Sequence, residues 1–199
     1  MKSGKLTAAC AAAAVLLLLS SQPGAAQEKR VRFNMAGAYP SSTAILGTGQ
    51  LYTADKIKKI SAGSLDVRFF EPGALVPANQ YFDAIGGGSL DAAWSSLGFF
   101  TGKEIAFALF SSVPFGPEIG EYLGWMLFGG GEQLMQELAR KFNIEVMLCG
   151  TIAPEASGWF RKEIKSPEDL KGLKMRFFGL GANVMQKMGV ATQILQAGR

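Results

Sequence analysis

Arg176 carries the most distinctive chemistry in the sequence. It lies within "DLKGLKMRFFGLGANVMQKMG", where a chain reversal at Lys171 and Gly172 leads into a short apolar segment. If residues 173–178 form a strand, Leu173, Met175 and Phe177 share one face, and Lys174, Arg176 and Phe178 share the other. An arginine next to a phenylalanine at a strand end is costly to bury unpaired. Its planar guanidinium matches a carboxylate through two parallel hydrogen bonds, and the helix that reads as starting at Gly181 favours the same anion. A surface arginine, or an ion pair with Glu163 or Glu168, reads equally well from the pattern alone. The "GLGAN" turn itself is a weak nucleotide signal: Val184 occupies the place of the third glycine, and no acidic residue follows.

Other reactive groups are few. The chain has no histidine, which excludes histidine-based triads, Cys–His pairs and the commonest metal ligand. Cys149 sits in an apolar segment and reads as core, because reactive thiols need an open, electropositive setting. Glu168 and Asp169 read as helix-start residues. Trp94, Ser95 and Ser96 close a predicted strand, where open α/β sheets place ligand contacts; a packed tryptophan with turn-capping serines is the alternative. Glu155, in "TIAPEASGWF", is a lone acid between two predicted strands, either solvated or a ligand for a cation or hydroxyl.

The elements that must position these residues alternate. "KRVRFNMAGAY" reads as a strand, and "PSSTAILGTGQLYTADKIKKISAG" as a helix with Pro40, Ser41 and Ser42 as capping candidates. "SLDVRFFEPG" is a second strand, "NQYFDAIGGG" a short helix and "SLDAAWSS" a third strand. This β-α-β-α-β order predicts a parallel sheet covered by helices. "GEYLGWMLFGGGEQLMQELARKFN" is helical, interrupted at residues 129–131. "IEVMLCGTIA" and "GWFRKEI" read as strands, "SPEDLKG" as one helical turn and "LKMRFF" as a final strand. The texture changes between Pro114 and Pro117, which places a boundary between a first lobe, 27–116, and a second, 117–199.

Residues 1–26 have the three-part pattern of a secretory signal peptide: Lys2 and Lys5, an apolar run over 8–19, then Gly24 and Ala26 before Gln27. The run is shorter than the roughly 20 residues of a membrane span, and Cys10 precedes it, which argues against a lipid anchor. Two of the 20 basic residues lie in this leader, leaving 18 against 16 acidic ones. A near-neutral surface without a basic run argues against nucleic acid as a partner. Cys149 is then the one cysteine left, so the core rather than a disulfide must hold the fold.

The blocks "RFFEPGALVPANQYFDAIGGGSLDAAWSS", "FALFSSVPFGP" and "GWFRKEIKSPEDLKGLKMR", together with the leader, resemble the extracytoplasmic solute-binding subunit of tripartite ATP-independent periplasmic (TRAP) transporters, the DctP-type family. "GWFRKEI" and "FALFSSVPFG" look most like the branch that binds 2-oxo acids and related monocarboxylates. The resemblance implies an α/β, two-lobed periplasmic binding fold with mixed, mainly parallel sheets, no catalysis, and delivery of an organic acid to membrane subunits. It implies that Arg176 pairs with the substrate carboxylate. It also places Glu155 where that branch looks to have a metal-ligating glutamine, so a sodium or calcium ion could accompany the substrate. Phe100 falls at a tyrosine-bearing position, and its missing hydroxyl implies a changed hydrogen-bond pattern. The resemblance implies a longer polypeptide, so the chain reads as an N-terminal fragment with an incomplete second lobe. Rival readings are an exported enzyme using Glu155 as general base, and a carboxylate-sensing module without transport.

Overall fold

The computed structural model describes residues 30–195, and the predicted signal peptide lies outside them. Strand β1, Val31–Gly37, becomes steadily more buried along its length, because its first half pairs on one side and its second half on two. It runs parallel to β2, Leu65–Phe70, with Val31 opposite Leu65, and parallel to β3, Ala92–Trp94, with Met35 opposite Ala92. Before β3 begins, the Asp91 carboxylate accepts from the Asn34 backbone N–H at 2.9 Å and completes that edge. The sheet order is β2-β1-β3, so the chain leaves β1 in one direction and later crosses to its other side.

Helix α1, Leu46–Ile60, makes the first crossover and buries Gly47, Gln50 and Ala54 at helical spacing. It starts later than the capping candidates at Ser41 and Ser42 suggested. Ser41 instead donates its backbone N–H to Glu71 at 3.1 Å, which ties the loop after β1 to the end of β2. Helix α2, Tyr81–Gly86, makes the second crossover.

The apolar cluster beneath this sheet centres on Phe82, whose ring lies 5.1–5.3 Å from those of Phe100, Phe107 and Phe142. Ala139 and Ile144, from the later part of the chain, are buried in the same cluster. Residues 31–195 pack as one compact unit. The helical segment interrupted at residues 129–131 forms two helices: α3, Ile119–Phe128, and α4, Gly131–Arg140. They break at Gly130, whose φ of 85° suits glycine.

Residues 145–166 form no ladder, so the strands predicted from "IEVMLCGTIA" and "GWFRKEI" are absent. A strand exists as a paired ladder, and no neighbouring strand among the described residues offers its backbone there. Cys149 is likewise exposed and outside the core, lying on the outward row with Glu145 and Met147. After the one-turn helix at Pro167–Leu170, β4, Lys174–Arg176, pairs in parallel with β5, Ala191–Gln193, through helix α5, Gly179–Lys187.

Candidate functional site

The crevice between β1 and β3 is the point where the strand order reverses, and ligands of open α/β sheets bind beyond the strand ends at such points. The chain leaves β1 through Ala38 and Tyr39 and leaves β3 through Ser95 and Ser96. The Ala38 backbone N–H donates to the Trp94 carbonyl oxygen at 2.9 Å, holding the two exits side by side.

Ser96 and Ser95 behave differently there. The Ser96 hydroxyl lies 2.8 Å from that of Ser111 and accepts from the Gly98 backbone N–H, so it builds the turn. The Ser95 hydroxyl oxygen is sealed from solvent with no hydrogen-bond partner among the described residues. A buried polar atom left unpaired is rare and calls for a role. Trp94 is half-buried against the core cluster, and its indole would lie 3.6 Å from a Cβ at Gly49.

Arg176 ends β4 and is exposed. Among the described residues no carboxylate lies within salt-bridge distance of it, and Glu163 pairs with Lys165 instead. Its Nε donates to the Leu195 carbonyl oxygen at 3.3 Å. Its guanidinium carbon stands 5.4 Å from the centre of the Phe178 ring, the same-face neighbour that strand alternation requires. Phe178 in turn stacks on Phe99, with centroids 4.8 Å apart at 27°, and Phe99 meets Tyr39 at 6.4 Å. A continuous run of rings therefore joins the exit of β1 to the arginine of β4.

That run depends on Gly98, because a Cβ there would come within 2.7 Å of the Phe178 ring. The phenylalanine facing this run is Phe99. Phe100 is buried against Phe82, 7% exposed. Within the three-residue repeat of a 3₁₀ turn, adjacent side chains diverge, and sequence position alone does not say which points outward.

Electrostatics places Glu155 in the same neighbourhood. Burial pushes the Tyr39 phenol above its ordinary value; the Arg176 charge pulls it down and the Glu155 charge pushes it up. Both charges thus act on one hydroxyl. Glu155 is an exposed residue, and the described residues include no group of three or more acidic, cysteine or histidine side chains able to hold a metal ion. Calcium takes six to eight oxygen ligands, so this set does not compose a cation site by itself. An open depression of about 640 Å³, with Ser157, Phe160, Arg161 and Met185 in its walls, shares no residue with this cluster. Its openness to solvent makes it the poorer candidate for holding a small acid.

Tyr39, Gln50 and Phe99 were not singled out by sequence reasoning, which named Phe178 only as the same-face neighbour of Arg176. The "YP" pair hinted at the first, since a residue before proline is held extended.

The class is an α/β protein with a switch-point crevice, a sealed serine hydroxyl and an arginine that has no carboxylate partner among the described residues. The model of the bacterial extracellular solute-binding proteins, family 7 (DctP), matches residues 36–198, and the chain belongs to that family. A monocarboxylate 2-oxoacid-binding periplasmic protein of Nostoc sp. is 38% identical over 170 residues, covering 84% of this chain and 46% of that protein. A TRAP transporter solute-binding protein of Bordetella bronchiseptica, crystallised with copurified calcium and picolinate, superposes with a TM-score of 0.81 at 32% identity. That match covers 85% of this chain and 50% of the other. A TRAP periplasmic solute-binding protein of Pseudoalteromonas atlantica, with bound sodium and pyruvate, gives 0.76 at 30% identity, covering 85% and 52%. The chain therefore spans about half the length of these relatives. The relatives are named for binding solutes.

Proposed function

We propose that the protein is the periplasmic solute-binding subunit of a TRAP-type transporter, and that it captures a small organic monocarboxylate, a 2-oxo or 2-hydroxy acid. The observation that carries this reading is Arg176, held over Phe178 at the end of the ring run from Tyr39, with no carboxylate partner among the described residues. A guanidinium in that setting supplies two parallel donors to a substrate carboxylate. The names of the relatives support the same substrate class: a 2-oxoacid binder in one, bound pyruvate in another.

In this reading the segments 27–116 and 117–199 supply the two sides of the cleft, and residues 1–26 direct export. Ser95 and Trp94 line the exit of β3 on the side where the acid binds, with Phe100 packed behind them. Glu155 contributes one carboxylate toward a sodium or calcium ion, the cations recorded with two of the relatives. The site binds without transforming its ligand, and membrane subunits receive the acid.

Calorimetric titration of the chain with pyruvate, wild type against Arg176→Ala, tests this. Removing one partner of a desolvated charge pair costs about 2–5 kcal/mol, or roughly 30-fold or more in affinity. Equal affinity in the two proteins would refute the assignment, as would no binding by the wild type.

A further inference from the structure

The backbone around Tyr39 is unusually constrained. Ala38 is bonded to Trp94, and Pro40 follows. The buried Gln50 side chain donates its Nε2–H to the Tyr39 carbonyl oxygen at 2.8 Å. Gln50 is fully enclosed, and its site tolerates no change next to it, since a Cβ at Gly37 would fall 2.7 Å from its Oε1. One residue further, Ser41 is held by Glu71. The ring is fixed as well, 9% exposed and tilted against Phe99.

The hydroxyl of this pinned residue has no protein partner among the described residues. That hydroxyl is not sealed, in contrast to the Ser95 oxygen, which is. It lies within the field of both Arg176 and Glu155. A donor and acceptor held this firmly, joined through the Phe99 and Phe178 rings to an arginine with no carboxylate partner among the described residues, is a pre-organised contact for a ligand.

We propose that Tyr39 determines specificity at this site: its hydroxyl hydrogen-bonds the oxygen on the second carbon of the acid whose carboxylate Arg176 holds, and Gln50 positions it. This rests on the carboxylate reading above and deepens it. A phenol that stays protonated can donate to a keto oxygen and can accept from a hydroxyl, so one residue serves both 2-oxo and 2-hydroxy acids. It also disfavours acids lacking that oxygen, because an unsubstituted acid offers this hydroxyl no hydrogen bond.

The test is a calorimetric comparison of pyruvate, lactate and propionate on the wild-type chain, Tyr39→Phe and Arg176→Ala. The wild type should prefer pyruvate and lactate over propionate by roughly tenfold, the worth of one good hydrogen bond. Tyr39→Phe should weaken the first two by about that factor, leave propionate unchanged, and so abolish the preference. Arg176→Ala should weaken all three. If Arg176→Ala does so while Tyr39→Phe keeps the preference, Tyr39 is excluded and the carboxylate reading stands. If the wild type binds none of them, both fall. A second readout requires no change in packing. Pyruvate should shift the alkaline ionisation of one tyrosine upward, followed by tyrosinate absorbance, in the wild type and not in Tyr39→Phe. Absence of that shift in a pyruvate-bound wild type overturns the Tyr39 assignment.

Discussion

Gly98→Ala places a methyl group where the structure has almost no room for one. The new Cβ would lie 2.5 Å from the Ser111 Oγ and 2.7 Å from the Phe178 Cε2. Carbon atoms in good contact are about 3.5–4.0 Å apart, so the Phe178 ring must retreat by roughly 1 Å. It is stacked against Phe99, and the Arg176 guanidinium stands over it, so a shift of the ring disturbs both contacts. The Ser111 hydroxyl must also swing away, giving up its 2.8 Å contact with Ser96.

Overpacking of this kind costs about 1–3 kcal/mol. In a chain of this size that is a fall in melting temperature of roughly 3–9 °C. Acid affinity should fall about tenfold, one charge-assisted hydrogen bond lost from good alignment. Differential scanning calorimetry and ligand titration read the two effects separately. Adding Phe178→Leu should restore part of the stability, because the two sites share one contact and are not additive, while leaving affinity low. An unchanged melting temperature and affinity in Gly98→Ala would refute the idea that the ring run positions Arg176.

Two further outcomes follow from groups away from the crevice. Tyr81→Phe removes a hydroxyl that donates to the Gly37 carbonyl oxygen at 2.8 Å in the fully buried core; the orphaned carbonyl should cost about 1–3 kcal/mol in urea denaturation. The backbone N–H groups of Lys165 and Ser166 hold the Asp169 carboxyl below its ordinary value of 3.8. The unfolded chain therefore takes up that proton first. Asp169 stabilises the fold above that value, and its contribution is lost as pH falls through the lower, folded value. Asp169→Asn should flatten the acid limb of the stability profile, measured by denaturant unfolding, and an identical limb in the two proteins would exclude this role.

The first sheet was legible because its cues are local. Alternation in "VRFNMAG" and "LDVRFF", and the Pro–Gly and triple-Gly turns between elements, mark β1, β2 and α2 within a few residues. Arg176 and Phe178 sharing a face follows from the two-residue repeat of a strand, which needs no tertiary information. The site's other half did not have that advantage. Tyr39 meets Phe99, and Phe99 meets Phe178, across separations that no periodicity encodes. Phe99 and Phe100 are neighbours in a tight turn, where burial in the Phe82 cluster decides which of them joins the run of rings. The apolar runs after Ile144 have strand-like composition, and only the absence of an adjacent ladder leaves them irregular. β5 was missed because "ATQ" carries no apolar alternation, and its pairing with β4 is set by the intervening helix α5.

The central position of β1 bears on the order of assembly during synthesis. Its partners lie 34 residues later on one side and 57 later on the other. At about 5–20 residues per second, a ribosome needs roughly 3–11 seconds after making β1 to supply the strand that completes the sheet. Throughout that interval the first strand can have at most one neighbour, and its apolar Met35 and Ala36 have no finished core to enter. A nascent chain with this topology stays open to chaperones and to wrong partners until Trp94 has been made.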